Sequence, residues 1–170
     1  SFFNDHQFNK VDKNAPHDRL AGTWTGMLEI ELPGTYTFST KSDDGSHLYV
    51  DGTMVVNNGG LHGARLRTGV IVLSMGYHMV KAEWFENGGG ANMVAEYKGP
   101  DTNGVFQNVE VLHFQRQQNN LPDPATLGMS RGWLMRLWFF NHGLSSFPAV
   151  DQNNVQKTLI VPEVKFDNEK

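Results

Sequence analysis

Apolar and polar residues alternate with a period of two through most of this chain, the spacing that sends successive side chains of an extended backbone to opposite faces. From Tyr77 to Phe85 it sets His78, Val80, Ala82 and Trp84 on one face and Tyr77, Met79, Lys81, Glu83 and Phe85 on the other. Trp24 to Leu32 predicts a strand ended by Pro33-Gly34, and Thr35 to Thr40 the next, with Tyr36 and Phe38 sharing a face. Asp51-Gly52, between Leu48–Val50 and Met54–Val56, predicts a tight hairpin because both central positions favour positive φ. Met93, Ala95 and Tyr97 continue the alternation beyond a glycine loop, and Val105 to Phe114 predicts one more strand. Helix signals are scarce. The pattern therefore predicts an all-β sandwich of two antiparallel sheets, with Trp24, Trp84, Phe38 and Tyr97 in its core and loops gathered at its ends.

The C-terminal third departs from this rhythm. Asn119 to Gly128 reads as a linker, since Leu121-Pro122-Asp123-Pro124 disfavours regular structure. Beyond it, Trp133, Met135, Leu137 and Phe139 alternate with Leu134, Arg136, Trp138 and Phe140, a strand apolar on both faces except at Arg136. Such a strand is expected at the buried centre of a sheet. Left unpaired, it would expose an apolar patch and invite association.

Composition narrows the function classes. A chain of 170 residues is long enough for one well-buried core with appendages. Its net charge of −4, without basic clusters, argues against nucleic-acid or anionic-membrane partners, which need Lys/Arg patches. No apolar run approaches the roughly 18–20 residues of a membrane span. The sequence opens Ser1-Phe2-Phe3 without Met, as expected of a processed chain or a fragment. Absence of cysteine excludes disulfides and thiol chemistry but leaves the compartment open. The seven histidines form no HExxH or closely paired spacing, so no zinc site is expected. Glu83 and Glu86 read as strand-end carboxylates, solvated or paired with Lys81 rather than catalytic. With no Gly-x-Ser-x-Gly elbow and no phosphate loop, the chain reads as non-enzymatic.

One tract carries chemistry. Asp43 and Asp44 stand at the end of a predicted strand, where regular backbone would point them to opposite faces. They share a site only if the backbone between them is irregular, as a kink or a non-proline cis peptide makes it. Paired carboxylates with flanking carbonyls suit a hard cation such as calcium. Asp51 is accounted for by its hairpin turn, and His62, in Gly59-Gly60-Leu61-His62-Gly63, by hydrogen bonds to backbone.

The run Ser42-Asp43-Asp44-Gly45-Ser46-His47-Leu48-Tyr49-Val50-Asp51-Gly52, followed by Gly63-Ala64-Arg65, Leu73-Ser74-Met75-Gly76-Tyr77-His78 and Phe85-Glu86-Asn87-Gly88-Gly89-Gly90-Ala91, resembles a PA14 domain from about Leu20 to Phe114. That family includes calcium-dependent lectin domains of adhesins, carbohydrate-binding insertions in glycosidases, and modules of toxins and surface proteins without a known sugar ligand. The resemblance implies a calcium ion held by Asp43, Asp44, the amide of Asn87 and the carbonyls of Gly89 and Ala91. Glycan hydroxyls would meet the ion and Asp43, Asp44 and Asn87, with His47 and Asn57 or Asn58 at the rim. The facing loop departs from the lectins in being glycine-rich and short of aromatic residues, which implies a shallow site. The location implied is extracellular or at the cell surface, with a role in adhesion.

The resemblance also divides the chain. Residues 1–118 correspond to a PA14-like sandwich lacking its usual opening strand, 119–130 to a linker, and 131–170 to a segment resembling that opening strand and the irregular stretch that follows it. Either the domain is circularly permuted and closes on itself, or the strand is exchanged with a neighbour, with self-association through Trp133 to Phe140. The rival reading of function is accordingly a structural or assembly module that binds no sugar. A third, an accessory domain of a glycosidase, differs only in having a catalytic neighbour.

Overall fold

The computed structural model describes residues 18–114, 129–161 and 165–168. Within them the chain forms an all-β sandwich of two antiparallel sheets, as the alternation predicts. Among the described residues no helix is long and apolar enough to cross a membrane.

The larger sheet is built on β1 (Leu20–Ile30), which pairs along its whole length with β6 (Gly76–Glu86), from Leu20 opposite Glu86 to Ile30 opposite Gly76. On its far side β6 meets β3 (Ser46–Val50), which closes a hairpin with β4 (Thr53–Asn58). The turn between β3 and β4 has Asp51 at φ 49° and Gly52 at φ 80°, the paired positive values the Asp-Gly sequence demands. In the smaller sheet β2 (Gly34–Asp43) lies between β5 (Arg65–Leu73) and β7 (Ala91–Lys98). β2 runs three residues past the predicted Thr40, which carries it to Asp43.

Trp24, Trp84, Phe38 and Tyr97 fill the core between the sheets, with Phe38 stacked on Tyr97 at 5.9 Å between ring centroids. Val105 to Phe114 is not one strand. β8 (Gln107–Asn108) pairs with β7 in the smaller sheet and β9 (Leu112–Phe114) with β1 in the larger. The chain crosses between the sheets there, with Val109 and Val111 buried, so its apolar residues line a crossing rather than a face.

β10 (Met129–Arg131) pairs with β9, and β11 (Trp133–Phe139) lies between β1 and β12 (Lys157–Val161). Trp133, Met135, Leu137 and Trp138 are buried, as an apolar central strand requires. β13 (Lys165–Asn168) adds to the smaller sheet beside β7. The stretch after β11, expected to be irregular, thus contributes β12 and β13. Residues 115–128, which include most of the expected linker at 119–130, lie outside the described residues.

Candidate cation site

β2 from one sheet and β6 from the other end at the same end of the sandwich, where Asp43 and Glu86 are their last residues. The Asp43–Asp44 peptide is cis, the irregularity that lets both carboxylates serve one site. The turn is pinned to β6: Trp84 Nε1 donates to the Asp43 carbonyl at 2.9 Å and Phe85 N to the Gly45 carbonyl at 3.0 Å. A Cβ at Gly45 would stand 2.5 Å from the Phe85 ring and 2.8 Å from the Gly60 carbonyl, so only glycine allows that approach.

Asp44 is buried. Its Oδ1 accepts from His62 N and its Oδ2 from Asn87 N, both at 3.0 Å. Each oxygen keeps a lone pair beyond the one so used. Asp43 is half-buried, and its carboxyl is held above the ordinary value by burial and by Asp44, against opposing contributions from His62 and the Ala64 amide.

Glu86 completes the cluster. One oxygen each from Asp43, Asp44 and Glu86 lie within 4.8 Å of one another. Glu86 is 0 % exposed, and neither of its oxygens finds a hydrogen-bond partner of regular geometry among the described residues. Burial, then the charges of Asp44, Asp43 and Asp18, push it up to about 8, although the Gly88 amide pulls the other way. Its expected pairing with Lys81 does not occur: Lys81 Nζ meets Glu83 at 2.6 Å on the opposite face of β6.

The structure divides the remaining expected site residues. Gly89, at φ 104°, sits with Gly88 and Gly90 in an exposed, side-chain-free loop, and Ala91 is buried where β7 begins. A Cβ on Gly90 would lie 3.4 Å from Asp43 Oδ2, so this loop borders the cluster. Asn87 donates its backbone N–H to Asp44, and its amide oxygen accepts from Leu144 N at 2.7 Å. His47 is not brought to the pair: it lies on the outer face of β3, Nδ1 3.6 Å from Glu83 Oε2. Asn57 accepts from Gly59 N, and Asn58 is wholly buried, bonded to Ser42 and Arg65.

Two residues not expected at the site join it. Glu86 is one, and parity could have found it, because continuing the inward set His78, Val80, Ala82 and Trp84 by one step reaches it. Asn92 is the other. It pairs with Asp43 across β2 and β7, and its Oδ1 is buried without a partner among the described residues. Carboxylate and amide oxygens without nitrogen or sulfur ligands form a donor set for a hard cation. A cavity of about 490 Å³, lined in part by Glu29, Glu31, Tyr97 and Asp101, lies toward the other ends of β1 and β7.

Residues 6–107 match the family model of the PA14 domain. A curated relative, the anti-sigma-I factor RsgI3 of Acetivibrio thermocellus, is 31% identical over 77 residues, which cover 45% of this chain and only 12% of that protein's length. One similar solved structure is an anti-sigma factor domain-containing protein, 26% identical with a TM-score of 0.49, covering 52% of this chain and 31% of that one. Another is a PA14 sugar-binding domain from an RTX adhesin, 33% identical with a TM-score of 0.47, covering 52% and 50%. A third is the PA14 domain of an antifreeze protein, 20% identical with a TM-score of 0.46, covering 52% and 47%.

Proposed function

The chain belongs to the PA14 domain family, and on that premise we propose that it binds glycans through a calcium ion held at the Asp43–Asp44 turn. The observation that carries this reading is the convergence of the Asp43, Asp44 and Glu86 carboxylates within 4.8 Å beside an exposed glycine loop. The buried, unpartnered oxygens of Glu86 mark a place where positive charge is wanted. When bound, calcium supplies coordination positions that vicinal sugar hydroxyls take in place of water. Asp43 and Asp44 orient those hydroxyls by accepting charge-assisted hydrogen bonds. The carbonyls of Gly89 and Ala91 contribute from the facing loop, and the Asn87 N–H keeps Asp44 in place. Gly88 to Gly90 carry no side chain across the approach, so a glycan reaches the turn from that side.

Such a shallow contact buries little area, so one site binds weakly and useful strength comes from repetition. The setting that fits is extracellular or at a cell surface. The Trp133–Phe139 strand is flanked by β1 and β12 of its own chain, which supports closure of the sandwich on itself over strand exchange.

Calorimetric titration of calcium into metal-stripped protein tests the reading beside Asp43→Asn, with glycan-array retention in calcium and in chelator. Saturable binding and chelator-sensitive retention, both lost in the variant, are expected. Absence of calcium binding, or retention indifferent to chelator, refutes it.

A further inference from the structure

We infer that Glu86, rather than the Asn87 amide, is the third side-chain ligand of the cation, closing the site from beneath, while Asn87 fastens the bend around Leu144 to the sandwich. This rests on the cation reading above and specifies which side chains of the 86–92 segment serve it.

Four observations carry it. Glu86 approaches from β6, in the sheet opposite Asp43, so the carboxylates enclose a point from two sides rather than lining one strand. The separation fits one ion: calcium–oxygen distances of about 2.3–2.6 Å put two oxygens across a shared ion at most about 4.6–5.2 Å apart, and the three oxygens lie within 4.8 Å. Glu86 is fully buried and neither of its oxygens has a hydrogen-bond partner of regular geometry among the described residues, whereas several buried polar groups nearby are satisfied. Ser42 bonds Ser46 at 2.8 Å, Ser46 bonds Thr40 at 3.0 Å, and Asn58 bonds Ser42 at 3.0 Å. Finally, the Asn87 oxygen accepts from Leu144 N at 2.7 Å, which spends one of its two lone pairs on tying β6 to the segment whose Leu144 packs on Phe85 and Ala21.

The site so built has Glu86 at its base, the half-buried Asp43 toward its mouth, the buried Asp44 between them in exposure, and Asn92 Oδ1 alongside as a further unsatisfied oxygen. Three carboxylates around one ion favour high charge, so a trivalent lanthanide should bind more tightly than calcium. Trp84, whose indole N–H holds the Asp43 carbonyl, sits beside the turn as a built-in sensitiser.

Terbium binding to the full chain, read by luminescence on tryptophan excitation and by competition with calcium, tests the assignment. Wild type should saturate and release terbium to calcium. Glu86→Gln should weaken both ions at least about tenfold, since even loss of an outer-shell partner costs a metal site roughly 10–100-fold. Asn87→Ala should cost either ion far less affinity than Glu86→Gln while speeding proteolysis of residues 141–147. Thermal melts in chelator establish that the variants fold, and Glu86→Met, similar in length and apolar, provides a second removal of the carboxylate. Wild type that binds while Asp43→Asn does not, with both Glu86 variants unchanged, overturns the Glu86 assignment and leaves the cation reading standing. Equal losses in Asn87→Ala and Glu86→Gln overturn the division of roles. Failure of wild type to bind either ion removes the cation reading and this inference with it.

Discussion

Replacing Asp51 with Asn should destabilise the protein in a pH-dependent way, because Asp51 anchors the β3–β4 hairpin to β6 through a histidine. Asp51 Oδ2 meets His78 Nδ1 at 2.6 Å, and the other ring nitrogen, Nε2, faces the Ser74 carbonyl at 2.9 Å. Both partners are acceptors, so the ring is best satisfied as an imidazolium with two N–H donors. Burial acts to lower the His78 pKa, but the bonds to Asp51 and Ser74 and the Asp51 charge outweigh it, and the net shift is upward. Asn tolerates the left-handed φ of 49° at this position and can still accept from Met79 N, so the variant removes the charge and little else. A hydrogen bond to a charged group contributes about 1.5–3 kcal/mol. The Asp51 side chain is 52% exposed, and solvent screening lowers the expectation to about 1–2 kcal/mol. For a chain of this size that is a fall in Tm of about 2–8 °C. A pKa raised on folding means that the contribution is complete below the unfolded value of about 6.5 and is lost as pH rises through the folded value. Urea melts of both proteins across about pH 5.5–9 should therefore show the widest gap near pH 6, closing toward the alkaline end, with the m-value unchanged. A gap that stays constant, or widens with rising pH, would refute the argument.

Gly90→Leu should separate the two halves of the proposed function, since its Cβ would lie 3.4 Å from Asp43 Oδ2 and the rest of the side chain would cover the mouth of the site. Calorimetry should find calcium affinity changed less than about threefold, with glycan retention lost; loss of calcium together with sugar would show that the loop does more than border the approach. Sedimentation equilibrium should return the monomer mass at all concentrations, because β11 has partners on both sides within its own chain. A dimer growing with concentration would mean that this strand reaches across copies.

The parts of the fold legible in the sequence are those where one face is buried and the other wet. β6 is such a strand, and its buried His78, Val80, Ala82 and Trp84 follow the alternation residue by residue. The Asp51-Gly52 turn was legible for a local reason, since two positive φ values select those residue types. β5 was not, because apolar residues lie on both its faces, with Ile71 and Leu73 turned inward. Leu66, Val70 and Val72 face solvent, while Gly69 turns inward to a place where a Cβ would lie 1.7 Å from the Val55 carbonyl. A close backbone approach needs no side chain and leaves no hydrophobic signal. The stretch from Val105 to Phe114 misled because its two short strands join different sheets, so its apolar residues do not form one ladder.

The site divides along the same line. Asp43 and Asp44 could be found because their adjacency at a strand end is a local anomaly, while the partner of Asn87 could not, since Leu144 lies 57 residues away in a segment with no visible tie to it. Glu83 and Glu86 look alike as strand-end acids, yet an odd spacing of three places them on opposite faces of β6. Glu83 lands on the outer face, where Lys81 at 2.6 Å and Tyr49 at 3.2 Å hold it, and its carboxyl is kept below the ordinary value by His47 and Lys81 against the cost of burial. Glu86 lands on the inner face two steps beyond Trp84, where no basic residue meets it among the described hydrogen bonds and ion pairs, and the nearest charges are Asp44 and Asp43. Parity thus sorts one acid into an ordinary ion pair and the other into an uncompensated interior position. A third acid set within 4.8 Å of two others is stabilised by a cation at their centre, and that arrangement supports the cation reading of this end of the sandwich.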